Sequence, residues 1–410
     1  MDNMSLVKKL PPMLSGRELE QALAIFPEYD PEIVNQSEAV RLIALSDLYR
    51  VFVPGQMSKE IYSKLYLALL RSLQKKEDKL AVKQRIENHK ATIQQNYWGV
   101  LGGADSFSII GCSGIGKTSS ISRAVQLISQ EPVIEMDKPY CKILPCVVVT
   151  TPFDSSVKNL LLEILRQIDE QLGSNYYSKT VNVRTTTDQL IGVVSQVALN
   201  HIGILVIDEL QHILYHKNGQ SIVGCLTQLI NNSGISICMV ACPEVTEYLS
   251  KVMQLARRAL GLQYDSLEYG EEFERLCKTL FQYQYVRNRT EIDDAIIHWL
   301  YEHSNGNVST VVSLLHDAQE IGILEGSEIL NMETLNAAYK NRMKMLHSFI
   351  RPSKKPQTSN RRKASAILKV DRQVEDVISI STLIQQAKSE NRDIVSFLKP
   401  HITIEEVVVV

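Results

Sequence analysis

The sequence predicts a mixed α/β protein: a parallel sheet covered by helices, with a helical region before it, a helical segment after it and a flexible tail. Three observations carry this. Short apolar runs alternate with longer amphipathic stretches from about Tyr97 to Leu267, the pattern of a sheet whose crossovers are helices. The apolar runs show little polar alternation, as expected of strands buried on both faces. Outside this stretch only helical periodicity is found.

Residues 1–95 read as a helical region. Glu38 to Tyr49 and Lys59 to Leu73 carry apolar side chains at three- and four-residue steps, and Pro54-Gly55 separates them. Residues 96–266 form the α/β domain. Its strand candidates are Phe107–Ile110, Cys146–Val149, Ile202–Ile207 and Ile235–Val240, and its helix candidates are Lys117–Ser129, Val157–Leu172, Asp188–Asn200 and Gln220–Asn231. Residues 267–345 hold four further helices, Glu271 to Tyr285, Ile292 to His303, Val308 to Ile321 and Met332 to Met345. Residues 346–410 form an arm and tail. Lys340 to Lys363 is basic without one acidic residue and contains Pro352 and Pro356, which suits a tether. Apolar residues return at Ile367, Leu368, Val370 and Val374, as in a segment that orders on a partner.

Composition bounds the function. At 410 residues, 44% hydrophobic and 22% charged, the chain has enough apolar residue for a real core, and disorder throughout is excluded. A net charge of −2 excludes a uniformly basic coat for nucleic acid but leaves room for local patches. Met1 to Leu10 lacks an apolar core of the secretory kind, and seven cysteines are an odd number, so reduced thiols in a cytosol are expected. No apolar run reaches the ~18 residues of a membrane span.

The chemistry begins at Gly111-Cys112-Ser113-Gly114-Ile115-Gly116-Lys117-Thr118, with Ser119 beyond it. A strand runs into this G-x-x-x-x-G-K-[ST] pattern and a helix leaves it. Glycines let the backbone close around phosphate oxygens, and successive N–H groups at a helix start then face the anion. Lys117 is placed to reach the β- and γ-phosphates of ATP, and the Thr118 hydroxyl to ligate Mg²⁺. Two strand–helix units later, the apolar run Gly203 to Ile207 ends in Asp208-Glu209. Asp208 is expected to hold Mg²⁺ and Glu209 to orient and deprotonate the attacking water. Together the two signals predict a P-loop ATPase of the class with an additional strand between the two motifs.

The later helices stand where an AAA+ ATPase carries its lid. The lid turn Ser304-Asn305-Gly306-Asn307 has no sensor arginine, and Cys242, a poor hydrogen-bond donor, stands at the usual polar sensor position. Arg257 and Arg258 follow the fourth core strand, where AAA+ subunits present a finger to a neighbour's γ-phosphate.

These residues resemble one family more closely. The phosphate loop, then Ile207-Asp208-Glu209-Leu210-Gln211-His212, then Cys242-Pro243-Glu244, and upstream Leu48-Tyr49-Arg50-Val51-Phe52-Val53-Pro54, are similar to the TnsC/TniB group of transposition regulators over roughly residues 40–345. The resemblance implies a cytoplasmic bacterial AAA+ protein that assembles with ATP as a ring or spiral on double-stranded DNA. It also implies that the protein links a TnsD/TniQ-like target selector to a TnsA/TnsB-like transposase, with partner binding in the N-terminal helical region and the tail. The alternatives are a STAND-type signalling ATPase or an initiator/loader-type ATPase. Asn305-Gly306-Asn307-Val308 departs from the Gly-Leu-Pro-Leu-like turn of the first, and the tail is short for the winged helix of the second.

A DNA-tracking assembly needs basic and polar groups that contact phosphates without reading bases. Lys158 at a helix start, and Lys179, Thr180 and Arg184 in what reads as a polar loop, are the candidates. His212 and His216 lack a third ligand at zinc spacing, so nucleotide-bound Mg²⁺ is the expected metal.

Overall fold

Helices α1 (Gly16–Leu23), α2 (Glu38–Ala44) and α3 (Gln56–Glu77) precede the sheet. The structure, a computed structural model, describes residues 6–77, 106–137, 140–154, 156–181, 185–214, 219–246 and 261–343. These belong to a first unit, Met1–Lys354; the second, Lys355–Val410, lies outside them. The α/β portion runs β1 (Phe107–Gly111), α4 (Lys117–Ile128), β2 (Ile134–Asp137), β3 (Tyr140–Thr150), α5 (Val157–Leu172), α6 (Tyr176–Val181), α7 (Thr187–His201), β4 (Ile202–Asp208), α8 (Gly219–Ser233), β5 (Ser236–Ala241) and β6 (Leu262–Tyr264). The last helices are α9 (Glu271–Phe281), α10 (Asp294–Ser304), α11 (Val308–Leu324) and α12 (Met332–Ala338), followed by a π-helical turn, Tyr339–Met343.

The strand order is β2-β3-β4-β5-β1-β6. All neighbours are parallel except β2, which pairs antiparallel with β3. β5 therefore lies between β1 and β4, the additional strand expected between the two motif-bearing strands. The apolar run of β4 divides between two cores: Leu205 and Ile207 face α5, α7 and α8, whereas Ile204 and Val206 face α3 and α4. Burial on both faces explains the missing alternation. Leu6, Leu10, Leu19 and Leu23 join Ile61, Leu65 and Leu69 of α3 on that second face, so the N-terminal segment supplies part of the sheet's cover.

The lid has its own core, built by α9 to α12 and extended by Leu45 and Leu48. Arg41 of α2 ties the N-terminal segment to it. The guanidinium is 1% exposed and donates to both Glu328 oxygens at 2.6 and 2.7 Å and to the Tyr285 carbonyl at 3.0 Å. The Arg41 side-chain hydrogen bond, above all, holds the Glu328 carboxyl below its ordinary value. Removing one partner of a buried pair strands the other, so Arg41→Met is expected to cost about 3 kcal/mol in denaturant unfolding. A depressed carboxyl contributes stability above its unfolded value, lost as pH falls through the folded one. Arg41→Met should therefore also lose part of the wild-type decline in stability on the acid side.

Several expectations need correction. The polar loop expected around Lys179 and Thr180 is helix α6 there. Its cause is tertiary: Asp169 of α5 accepts the Tyr176 and Tyr177 amides at 2.9 and 2.7 Å, capping α6 from outside its own sequence. The first lid helix stops at Phe281 rather than Tyr285, because the buried Gln319 side chain donates to the Tyr283 carbonyl and accepts from the Tyr285 amide. Strands β2 and β6 were not expected; β6 has only three residues.

Candidate functional site

β1 ends at Gly111, and the loop returns the chain into α4 at Lys117. Gly114 and Gly116 have φ of +81° and +95°, a region that side chains strain to occupy. A Cβ at Gly111 would come within 2.7 Å of the Tyr264 carbonyl, and one at Gly114 within 2.7 Å of Asn307 Oδ1. No side chain caps the start of α4, whose N-cap is Gly116. Its first N–H groups stay available to an anion. This cradle fits a polyphosphate.

Lys117 Nζ donates to the Gly111 and Cys112 carbonyls at 2.7 and 2.8 Å, which holds the ammonium at the loop. The Thr118 hydroxyl donates to Asp208 Oδ2 at 2.8 Å. The other oxygen of Asp208 accepts the Glu209 amide at 2.8 Å, and its carbonyl accepts both the amide and the hydroxyl of Thr151 at 2.9 Å. Asp208 is thus fixed at the end of β4 beside a hydroxyl. Such a pair of hard oxygen donors fits Mg²⁺. Glu209 has φ of +55°, unusual for a non-glycine residue, and Gln211 Nε2 donates to its Oε2. The turn that follows is anchored through His212, whose Nδ1 lies 2.9 Å from the Thr151 carbonyl.

Gly114 to Ser119, Asp208 and Glu209 line one cleft of about 550 Å³. Its remaining wall comes from distant segments that the sequence reading did not assign to the site. Val51, Val53 and Met57 enter from the N-terminal segment, Tyr264 from β6, and Leu276 and Val312 from the lid. Beside charged Glu60, Asp265, Glu272 and Arg275, they form a largely apolar stretch of the wall suited to a flat heterocycle. Their only sequence signal is the Leu48–Pro54 block, singled out for its resemblance rather than for a place in the site.

The lid also touches the phosphate loop directly. Asn307 Nδ2 donates to the Ser113 carbonyl at 2.7 Å, and the Ser309 amide to the Gly114 carbonyl at 2.9 Å. The turn without a sensor arginine therefore reaches the loop through an asparagine and a backbone amide. Cys242 lines the cleft, and burial pushes its thiol up, so it stays protonated at neutral pH.

Lys158 is exposed near the start of α5 and Lys179 in the last turn of α6, away from the cleft lining, and the Thr180 hydroxyl donates to the Tyr176 carbonyl at 2.7 Å. Arg184, Arg257, Arg258, His216 and the whole of residues 346–410 lie outside the described residues. No helix among the described residues is long and apolar enough to cross a membrane.

Residues 100–249 match the AAA domain family. A comparison with curated protein sequences finds no match. Among solved structures, the ORC1 protein of Aeropyrum pernix in complex with DNA is 14% identical at a TM-score of 0.41, over 62% of this chain and 63% of that one. The Drosophila ORC bound to DNA is 14% identical at a TM-score of 0.46, over 81% and 70%. Cdc6p from Pyrobaculum aerophilum is 12% identical at a TM-score of 0.42, over 57% and 60%. This chain thus spans less than two thirds of the Aeropyrum protein. The match to the AAA domain family over residues 100–249, the strand order, the phosphate loop and the following helices together give the chain the fold of the AAA+ P-loop ATPases.

Proposed function

We propose that this chain is an ATP-hydrolysing regulator of DNA transposition that assembles on double-stranded DNA. The observation that carries the ATPase reading is the joining of Lys117, Thr118, Asp208 and Glu209 in one cleft, although two strand–helix units separate the loop from the acids. Gly111 to Ser119 would bind the phosphates, and the apolar wall at Val51, Val53 and Val312 would take the adenine. Mg²⁺, when bound at Thr118 and Asp208, supplies positive charge beside the phosphates. Glu209 would accept a proton as the water oxygen bonds to the γ-phosphorus. The bond from that phosphorus to the bridging oxygen then breaks, leaving ADP and phosphate.

The transposition reading rests on the resemblance to the TnsC/TniB group, carried by the Asp208-Glu209-Leu210-Gln211 turn and the Leu48–Pro54 block. In such an assembly Arg257 and Arg258 would meet a neighbour's γ-phosphate. The N-terminal helical region and the tail would meet a TniQ/TnsD-like selector and a TnsA/TnsB-like transposase in a bacterial cytoplasm. Lys158, Lys179, Thr180 and Arg184 would touch DNA phosphates.

Salt dependence tests the DNA surface. With a net charge of −2, binding must come from local contacts, each adding ~0.9 to the log–log salt slope. ATP-dependent binding of duplex DNA should show little sequence preference. Replacing Lys158, Lys179 and Arg184 by alanine should flatten the slope by about two or more. An unchanged slope would move the DNA surface elsewhere, with Lys340 to Lys363 the next candidate.

A further inference from the structure

The turn after β4 holds two unfavourable features side by side. Glu209 takes a left-handed backbone conformation with φ of +55°, which a β-carbon disfavours. Two residues on, Gln211 Oε1 is buried and accepts no hydrogen bond, a costly state for an amide carbonyl. Both accompany one contact. Gln211 Nε2 donates to Glu209 Oε2, and the two side chains line the same cleft as Lys117 and Thr118. The amide orientation follows from chemistry: turned over, it would set a carbonyl oxygen against a carboxylate.

The turn is rigid beneath this contact. Asp208 Oδ1 accepts the Glu209 amide at 2.8 Å, the His212 amide donates to the Glu209 carbonyl at 3.1 Å, and His212 Nδ1 is 2.9 Å from the Thr151 carbonyl. The backbone of Glu209 is therefore fixed at both ends, while its side chain retains three rotatable bonds. A carboxylate on so long an arm needs a second anchor to stay in attack geometry, since about 1 Å of misplacement can cost two orders of magnitude in rate. Among the described residues the hydrogen bond from Gln211 is that anchor. It occupies Oε2 and leaves Oε1 as the oxygen able to accept from water.

We propose that Gln211 is the positioning residue for Glu209: its amide N–H fixes one carboxylate oxygen so that the other receives the proton of the attacking water. This inference rests on the ATPase reading. Gln211 acts through Glu209 rather than on ATP, so its removal should lower kcat and leave nucleotide affinity alone. The strained backbone and the orphaned carbonyl are then costs tolerated at a functional turn for the sake of this contact.

Five proteins test it: wild type, Gln211→Ala, Gln211→Glu, Glu209→Gln and the double variant Glu209→Gln/Gln211→Ala. Phosphate release gives kcat and KM, calorimetry gives ATP affinity, and thermal melting reports folding. Gln211→Ala should lose about tenfold or more in kcat, with KM, ATP affinity and melting temperature close to wild type. Gln211→Glu keeps the length and shape but sets a second carboxylate against Glu209, so it should lose as much. A residue that only fills space would tolerate that change. In the Glu209→Gln background, adding Gln211→Ala should slow turnover no further, because residues acting as one unit are not additive.

Wild-type kcat in Gln211→Ala with ATP bound normally would overturn the role of Gln211 and leave the ATPase reading standing. So would an equal further loss in the double variant, which would show that Gln211 acts independently of Glu209. A wild-type protein that binds ATP and Mg²⁺ without releasing phosphate would overturn the ATPase reading and the inference with it.

Discussion

Lys117→Ala is expected to lose about a hundredfold or more in ATP affinity by calorimetry. Hydrogen bonds to charged groups contribute about 1.5–3 kcal/mol each, and the Lys117 ammonium, held by the Gly111 and Cys112 carbonyls, is the cation that the loop offers the β- and γ-phosphates. The glycine conformations at Gly114 and Gly116 do not depend on this side chain, so the variant should fold and melt close to wild type. Affinity within twofold of wild type would mean that the loop is not the phosphate site.

The second large effect belongs to Glu209→Gln. An amide of the same length fills the same space but cannot take a proton, and a positioned base contributes about 10²- to 10⁴-fold to rate. Turnover should fall within that range while ATP and Mg²⁺ binding persist, because Lys117, Thr118 and Asp208 are unchanged. If assembly on DNA needs bound ATP, this variant should accumulate as a long-lived oligomer. Wild-type turnover in Glu209→Gln would assign the base to another residue.

The parts of this site legible in the sequence are those in which local pattern and local structure coincide. The phosphate loop is contiguous, and its glycines are required by the backbone within the loop. The buried strand Ile202–Asp208 announces itself by an unbroken apolar run that ends in acids. Helix α5 runs from Val157 to Leu172, the bounds its amphipathic stretch predicts, and Ser156 caps its start.

What escaped depends on groups far apart in the chain. Helix α6 exists because Asp169 caps it across a turn. The end of α9 is set by Gln319 from α11, which bonds the backbone of Tyr283 and Tyr285 in a segment that otherwise carries helical spacing. The far wall of the cleft joins Val51, Tyr264 and Val312, whose identities do not announce a shared place. The contact between Asn307 and the phosphate loop comes from a lid turn that carries no arginine. Nothing in the asparagine itself announced that it would reach Ser113.

The most direct test of the central claim measures phosphate release and DNA retention together, on wild-type protein with Mg²⁺, with and without duplex DNA. The expected result is turnover of ATP that Lys117→Ala abolishes, with oligomers retained on duplex DNA in ATP and released without nucleotide. Bound ATP without turnover, together with equal DNA affinity in the presence and absence of nucleotide, would contradict it.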